Sequence, residues 1–369
     1  MAYSLTPPPS HSPDGETGTR HFFVRWQMDV FASSPHILKG FSQIGDYKAY
    51  EPGIAQSSQI TLGALGYDTH ALASYAEFCA LRDKGVIPHG VRFQVCLPTP
   101  LNVVGLCLLP EYQAEAEPLY EAALMAALRR IQDGVPKEDL AVQWDMAYEI
   151  GMLELPCAFN SWFDGDVKQG ILERFARLAG AVDEGVEMGF HLCYGDAGHK
   201  HFSEPADMGV LVDMVNDLSS HAGRVVDWVH VPVPKNRTDE AYFLPLKHLE
   251  LNSETRVFLG LAHAWDLKGT RERIRVASEF LHEFGVSTEC GFGRTEKDEL
   301  TSVLGVLAGL LSRSCTCFWR KSFDAEYCTV RCGSLLVFAG VFSGSSALAS
   351  LRRWNTYVTQ VIGHLLRTS

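Results

Sequence analysis

"VEMGFHLCY", residues 186–194, is a short apolar run with a period of two that ends in residues able to do chemistry. It is one of six such runs. The others are "VRFQVCLP" (91–98), "LAVQWD" (140–145), "VVDWVHVPV" (225–233), "RVFLGLAHA" (256–264) and "VSTECGF" (286–292). Between them lie "EPLYEAALMAALRRIQ", "VKQGILERFARLAGAV", "MGVLVDMVNDLSSHA" and "TRERIRVASEFLHEFG", whose apolar residues recur three and four apart, as on one face of a helix. Strand and helix in alternation predict repeated βα units and a parallel sheet. The runs end at Thr99, at Gln143 with Asp145, at His191 with Cys193, at His230, at His263, and at Glu289 with Cys290. In a (β/α)8 barrel all these ends gather on one face, so residues far apart in sequence converge there. A doubly wound open sheet is the alternative, and it gathers strand ends only near its switch point.

Working outward, the 369 residues divide into a mobile tail over 1–20, rich in Pro, Ser and Gly, a barrel over 21–313 and an appendage over 314–369. "HFFVRW" and "SQITLG" are candidate first strands, and "THALASYAEFCALRDKGV" reads as a helix. The composition is 46% hydrophobic, enough for a large core. With 32 basic against 44 acidic residues, a net charge of −12 and no basic run, nucleic acid is excluded as an expected partner. The N-terminus lacks the charged start and apolar core of a secretory signal, so the expected location is cytoplasmic and the ten cysteines are expected to be reduced thiols or metal ligands. Residues 333–351 are uncharged and about as long as a membrane span, yet their Gly and Ser content argues against a tail anchor, and no membrane partner is expected.

On a strand, residues two apart point the same way, so His191 and Cys193 can approach one ion together while Leu192 faces away. Imidazole and thiolate suit zinc, and Cys290 at a later strand end supplies a third donor of the same kind. A buried histidine beside an inert cysteine is the competing reading. Trp144, Trp228 and Trp265 adjoin strand ends, where they either line an apolar pocket or pack in the core. Cys315, Cys317, Cys328 and Cys332 lack the C-x2-C pairs of a second zinc site.

"HLCY" followed by Asp196, with "ECGFGR" closing a later strand, resembles the carboxyl-terminal catalytic domain of cobalamin-independent methionine synthase, in a superfamily that includes uroporphyrinogen decarboxylase. The resemblance covers roughly residues 90–312. It implies a (β/α)8 barrel and a zinc ion that binds a substrate thiol and presents it to a methyl donor. His191 and Cys193 then take the place of the family's H-x-C pair, and Cys290 that of its distant cysteine. The family's glutamate ligand aligns with Pro232, which cannot bind metal; His230, two residues earlier on the same face, is the expected fourth ligand, favoured over Glu289. His263 stands near the place of the family's catalytic histidine and is the expected general acid, with Asp145 and Asp196 as further catalytic candidates.

The family's "IGS"-type motif has no counterpart in "SSQITLGALG", and its "DEP" strand end becomes "QWDMAYE", which keeps only Asp145. The small-molecule substrate is therefore expected to be a thiol or other soft nucleophile different from homocysteine, alkylated most simply by methyl transfer. Two readings stand beside this one. The first is a metal-free lyase like uroporphyrinogen decarboxylase, with Arg92 and Arg294 as anion-binding candidates; the second is a barrel that binds a small molecule or partner without catalysis.

Overall fold

The computed structural model describes residues 11–13, 20, 24–42, 49–51, 53, 59–195, 200–292, 295–310, 328–332 and 335–339, the last two stretches by backbone alone. Seven parallel strands run in chain order across one sheet: β1 His11–Pro13, β2 Arg92–Pro98, β3 Leu140–Met146, β4 Glu187–Leu192, β5 Trp228–Pro232, β6 Arg256–Gly260 and β7 Gly285–Val286. β8 (Cys328–Cys332) extends the sheet in parallel through Val286 and Val330, and β9 (Leu335–Ala339) pairs antiparallel with β8.

The sheet curls into a half-barrel. In a flat sheet β1 and β4 would stand about 14 Å apart, yet His11 Nε2 lies 2.8 Å from Glu187 Oε2. Trp228 Nε1 on β5 likewise donates to Gln143 Oε1 on β3 at 3.0 Å, past the intervening strand. Alternation along each strand divides the core accordingly. Val142, Trp144 and Met146 pack outward in the large core beneath the helices, whereas Ala141, Trp228 and Phe258 form a small cluster of their own on the concave side.

The helices are α1 Tyr67–Asp83, α2 Pro100–Cys107, α3 Pro110–Gly134, α4 Tyr148–Glu154, α5 Val167–Gly180, α6 Gly209–His221, α7 Glu240–Phe243, α8 Leu267–Ala277 and α9 Lys297–Leu310. Caps set several of their starts. Thr99, Asp166 and Asp266 accept backbone N–H groups from the first turns of α2, α5 and α8, and Pro100 and Pro110 open α2 and α3.

Three expectations change. Residues 11–13, inside the stretch that composition reads as a mobile tail, form β1, because His11 is buried against Glu187 and Trp228. Arg25–Phe31, which overlaps "HFFVRW", is a 3-10 helix, and residues 59–63 form neither strand nor helix. The run expected as a strand over 286–292 pairs only at Gly285–Val286 and then bends. Among the described residues no helix is long and apolar enough to cross a membrane. Of residues 333–351 only Leu335–Ala339 is described, as β9.

Candidate metal centre

The site begins with a glycine. A Cβ at Gly189 would fall 2.3 Å from the Trp228 ring, so only glycine lets that indole fill the concave side one step below His191. β4 then delivers His191, 5% exposed, and Cys193, whose N–H donates to Met146 O at 2.9 Å and carries the ladder just past the strand end. Both side chains face the concave side, as the period of two requires.

Cys290 reaches them from a bend rather than a strand. Ser287 N donates to Leu259 O (2.8 Å) and Ala262 N to Ser287 O (2.9 Å), after which the chain turns over Gly260. A Cβ at Gly260 would stand 2.7 Å from Glu289 Cα, so this close approach also needs glycine. Thr288 Oγ1 donates to Cys290 O at 2.8 Å and fixes the turn. As a result His191, Cys193 and Cys290 each offer one ligand atom, and these atoms all lie within 4.8 Å of one another. A tetrahedral zinc ion with bonds of about 2.0–2.3 Å needs donors about 3.5 Å apart. A small inward shift of three side chains supplies that, and one imidazole with two thiols is a donor set zinc accepts.

The expected fourth ligand, His230, is not of this group. Strand register sets it directly beside His191, and the two rings stack with centroids 4.4 Å apart and planes 23° apart. Its Nε2–H donates to Thr288 O at 2.9 Å. His230 therefore ties the ring of one candidate ligand to the bend that carries another.

Glu289 turns toward two histidines instead. Its carboxylate lies 3.3 Å from His201 Nε2 and 3.6 Å from His263 Nδ1, and His201 Nδ1 also lies 3.2 Å from Glu204. Burial works against the charge on His201, but the hydrogen bond and charge of Glu289, with the charge of Glu204, raise its pKa above the ordinary value. His263 goes the other way: burial, reinforced by the nearby Arg273 cation, pushes its pKa down to about 3. Its Nε2–H donates to Val233 O at 3.0 Å. An imidazole kept neutral has no cationic proton to give at neutral pH, so these surroundings do not favour the general-acid role expected for His263. His201 is the better proton holder on this face. Its partner Glu289 is remote in sequence, so the loop sequence around His201 gives no sign of the pair.

Asp145 stands opposite His191 in the ladder and accepts from Gln143 Nε2 at 2.9 Å. Gln143 and Gln94 also direct amide N–H groups toward Cys96 Sγ, at 3.6 and 3.3 Å. Asp196 and His199 lie outside the described residues, as do Arg294, Cys315 and Cys317; for Cys328 and Cys332 only the backbone is described. Arg92 opens β2 at the amino end of the sheet, where it pairs with Glu187 at 3.0 Å, far from this face. Trp144 and Trp228 are fully buried, whereas Trp265 is exposed.

No protein-family model matches the chain, and no curated protein matches it. Among solved structures it is similar to a protein from Listeria monocytogenes provisionally named a vitamin-B12-independent methionine synthase, with 14% identity, coverage of 60% of this chain and a TM-score of 0.39. The match spans 64% of that protein, less than two thirds of its length. It is also similar to a methyltransferase from Methanosarcina mazei, with 9% identity, coverage of 79% of this chain and 83% of that one, and a TM-score of 0.44.

Proposed function

We propose that the chain is an alkyltransferase, most simply a methyltransferase, built on a (β/α)8-type barrel and using a zinc ion held by His191, Cys193 and Cys290 to act on a small molecule bearing a thiol or other soft nucleophile. The observation that carries this reading is the meeting of those three donors at the carboxyl ends of β4 and β7. Three protein ligands with a fourth position left for substrate is the pattern of a catalytic zinc site rather than a closed structural one. When bound, the metal would keep a substrate thiol deprotonated at neutral pH, which supplies the nucleophile.

The protein's own residues set the geometry. His230 orients the His191 ring and holds the 288–290 bend through Thr288. Gly260 lets that bend close on β6. Asp145 supplies a carboxylate beside His191, and His201, whose pKa Glu289 and Glu204 raise against the effect of burial, is the group placed to give a proton to a departing group. Homocysteine is not the expected substrate, because "SSQITLGALG" and "QWDMAYE" keep little of what would hold an amino acid's charged groups, and in-line attack needs the whole nucleophile fixed.

Metal analysis of the purified protein tests the reading. One equivalent of zinc in the wild type and almost none in Cys193→Ser or Cys290→Ser is expected, with the far-ultraviolet spectrum unchanged. Full zinc retention in both variants would refute the site. Supplied with homocysteine and methyltetrahydrofolate, the zinc-loaded protein is expected to form no methionine at enzymatic rates of about one per second or more.

A further inference from the structure

We infer that Trp265 is a specificity-determining wall of this site, against which an aromatic or other planar apolar body of the soft nucleophile lies; the inference rests on the thiol-directed reading above. Trp265 is 69% exposed, against 43–47% for Leu119, Val225 and Leu244, the other large apolar side chains among the described residues that face solvent. It also has a φ of 57°, the only positive φ of any non-glycine among the described residues. A bulky side chain in the left-handed region is strained, and glycine would take the same backbone at less cost. Here the ring gains no burial in return. A fold that keeps an exposed tryptophan in a strained backbone is spending stability on something other than packing.

The surroundings fix that conformation from several sides. Trp265 N–H donates to Ser302 Oγ on α9 at 2.7 Å, and Lys235 Nζ donates to the preceding carbonyl, Ala264 O, at 3.0 Å. Asp266, the next residue, caps α8 through Gly269 N (2.9 Å) and accepts from Arg273 at 2.8 Å. The position is as telling as the strain. Trp265 follows the carboxyl end of β6, two residues after His263, whose ring lies 3.6 Å from the carboxylate of Glu289, the neighbour of Cys290. Of the four exposed large apolar side chains among the described residues it alone stands within five residues of a strand's carboxyl end, that of β6 at Gly260: Leu119 lies within α3, Val225 precedes β5, and Leu244 follows α7. An indole there offers a flat apolar surface to whatever thiol enters, and ring-on-ring contact favours an aromatic one.

Cobalt(II)-loaded protein tests this, because a thiolate bound to the metal adds near-ultraviolet charge-transfer absorbance that can be titrated. The probes are benzyl mercaptan and 2-mercaptoethanol, with wild type, Trp265→Gly and Trp265→Phe compared by titration and thermal melting. Trp265→Gly is expected to weaken benzyl mercaptan about tenfold and to leave 2-mercaptoethanol within about twofold. Trp265→Phe should keep most of the wild-type preference. The glycine variant should melt at the same temperature as wild type or higher, since it loses strain and no packing. Equal weakening of both thiols, or no change for benzyl mercaptan, would overturn the inference and leave the metal site standing. A wild-type spectrum that responds to neither thiol would overturn the thiol-directed reading and this inference with it.

Discussion

The two ends of the same strands are built on opposite rules. At the amino end Glu187 accepts from His11 (2.8 Å) and pairs with Arg92 (3.0 Å) and Arg256, while Trp228 lies over the group. One carboxylate there is held between two arginines and a buried histidine. At the carboxyl end, one imidazole and two thiols, with a carboxylate between two further histidines, sit where the chain turns and solvent reaches Cys290 and Glu289. The comparison teaches that burial of polar groups serves two purposes in this sheet. Hard, oppositely charged partners close a structure, and soft donors of one kind leave room for something to be bound.

The sharpest way to break the comparison is Glu187→Ala. Removing the carboxylate leaves two arginines facing each other in a half-closed interior, and a loss of about 3–5 kcal/mol in denaturant-measured stability is expected, with zinc content unchanged. A parallel loss of zinc would mean that the two ends are not independent. The acid limb of the wild type carries the same information. Burial alone would raise the pKa of Glu187, but the His11 hydrogen bond and the charges of His11, Arg256 and Arg92 hold it at about 2. A depressed carboxyl pKa contributes stability that is complete above its ordinary value of 4.5 and disappears as pH falls toward about 2. Glu187→Ala should flatten the stability curve across that window.

A smaller effect is expected from His230→Ala, which deletes the ring stacked on His191 and the bond to Thr288 while sparing all three ligands. Loss of an orienting partner of this sort weakens metal binding about 10- to 100-fold, which competition against a zinc chelator measures. If His230 were itself a ligand, zinc would instead be lost as completely as in the cysteine variants. Least in stability, about 1–3 kcal/mol, is Gly260→Ala, whose new Cβ would press on Glu289 Cα and displace the bend. Zinc affinity should fall with it, and an unchanged affinity would show that the 288–290 backbone has slack.

Much of this arrangement is legible in the sequence because β2 to β6 are apolar runs separated by amphipathic helices, and both patterns are local. His191 and Cys193 are legible for the same reason, since two residues on one strand face must point together. What is hidden depends on contacts between distant residues. Three residues with a proline and a serine give no sign of being β1 until Glu187 is placed beside His11. The bend at Cys290 exists because Gly260 allows the chain to close on β6, which "VSTECGF" alone does not reveal. His230 reads as a ligand from its face of the strand, but the register that stacks it on His191 is set by pairing between two strands.

The brevity of β7 has a consequence for the order in which the molecule comes apart. Two residues hold Cys290 in the sheet, whereas Cys193 follows a strand of six. The stretch around 285–290 is therefore expected to exchange its amide hydrogens sooner than β4, by local opening rather than global unfolding. A zinc ion joining Cys193 to Cys290 would fasten a loop of about 100 residues, much as a disulfide does, so its binding would be felt first as slowed exchange at β7.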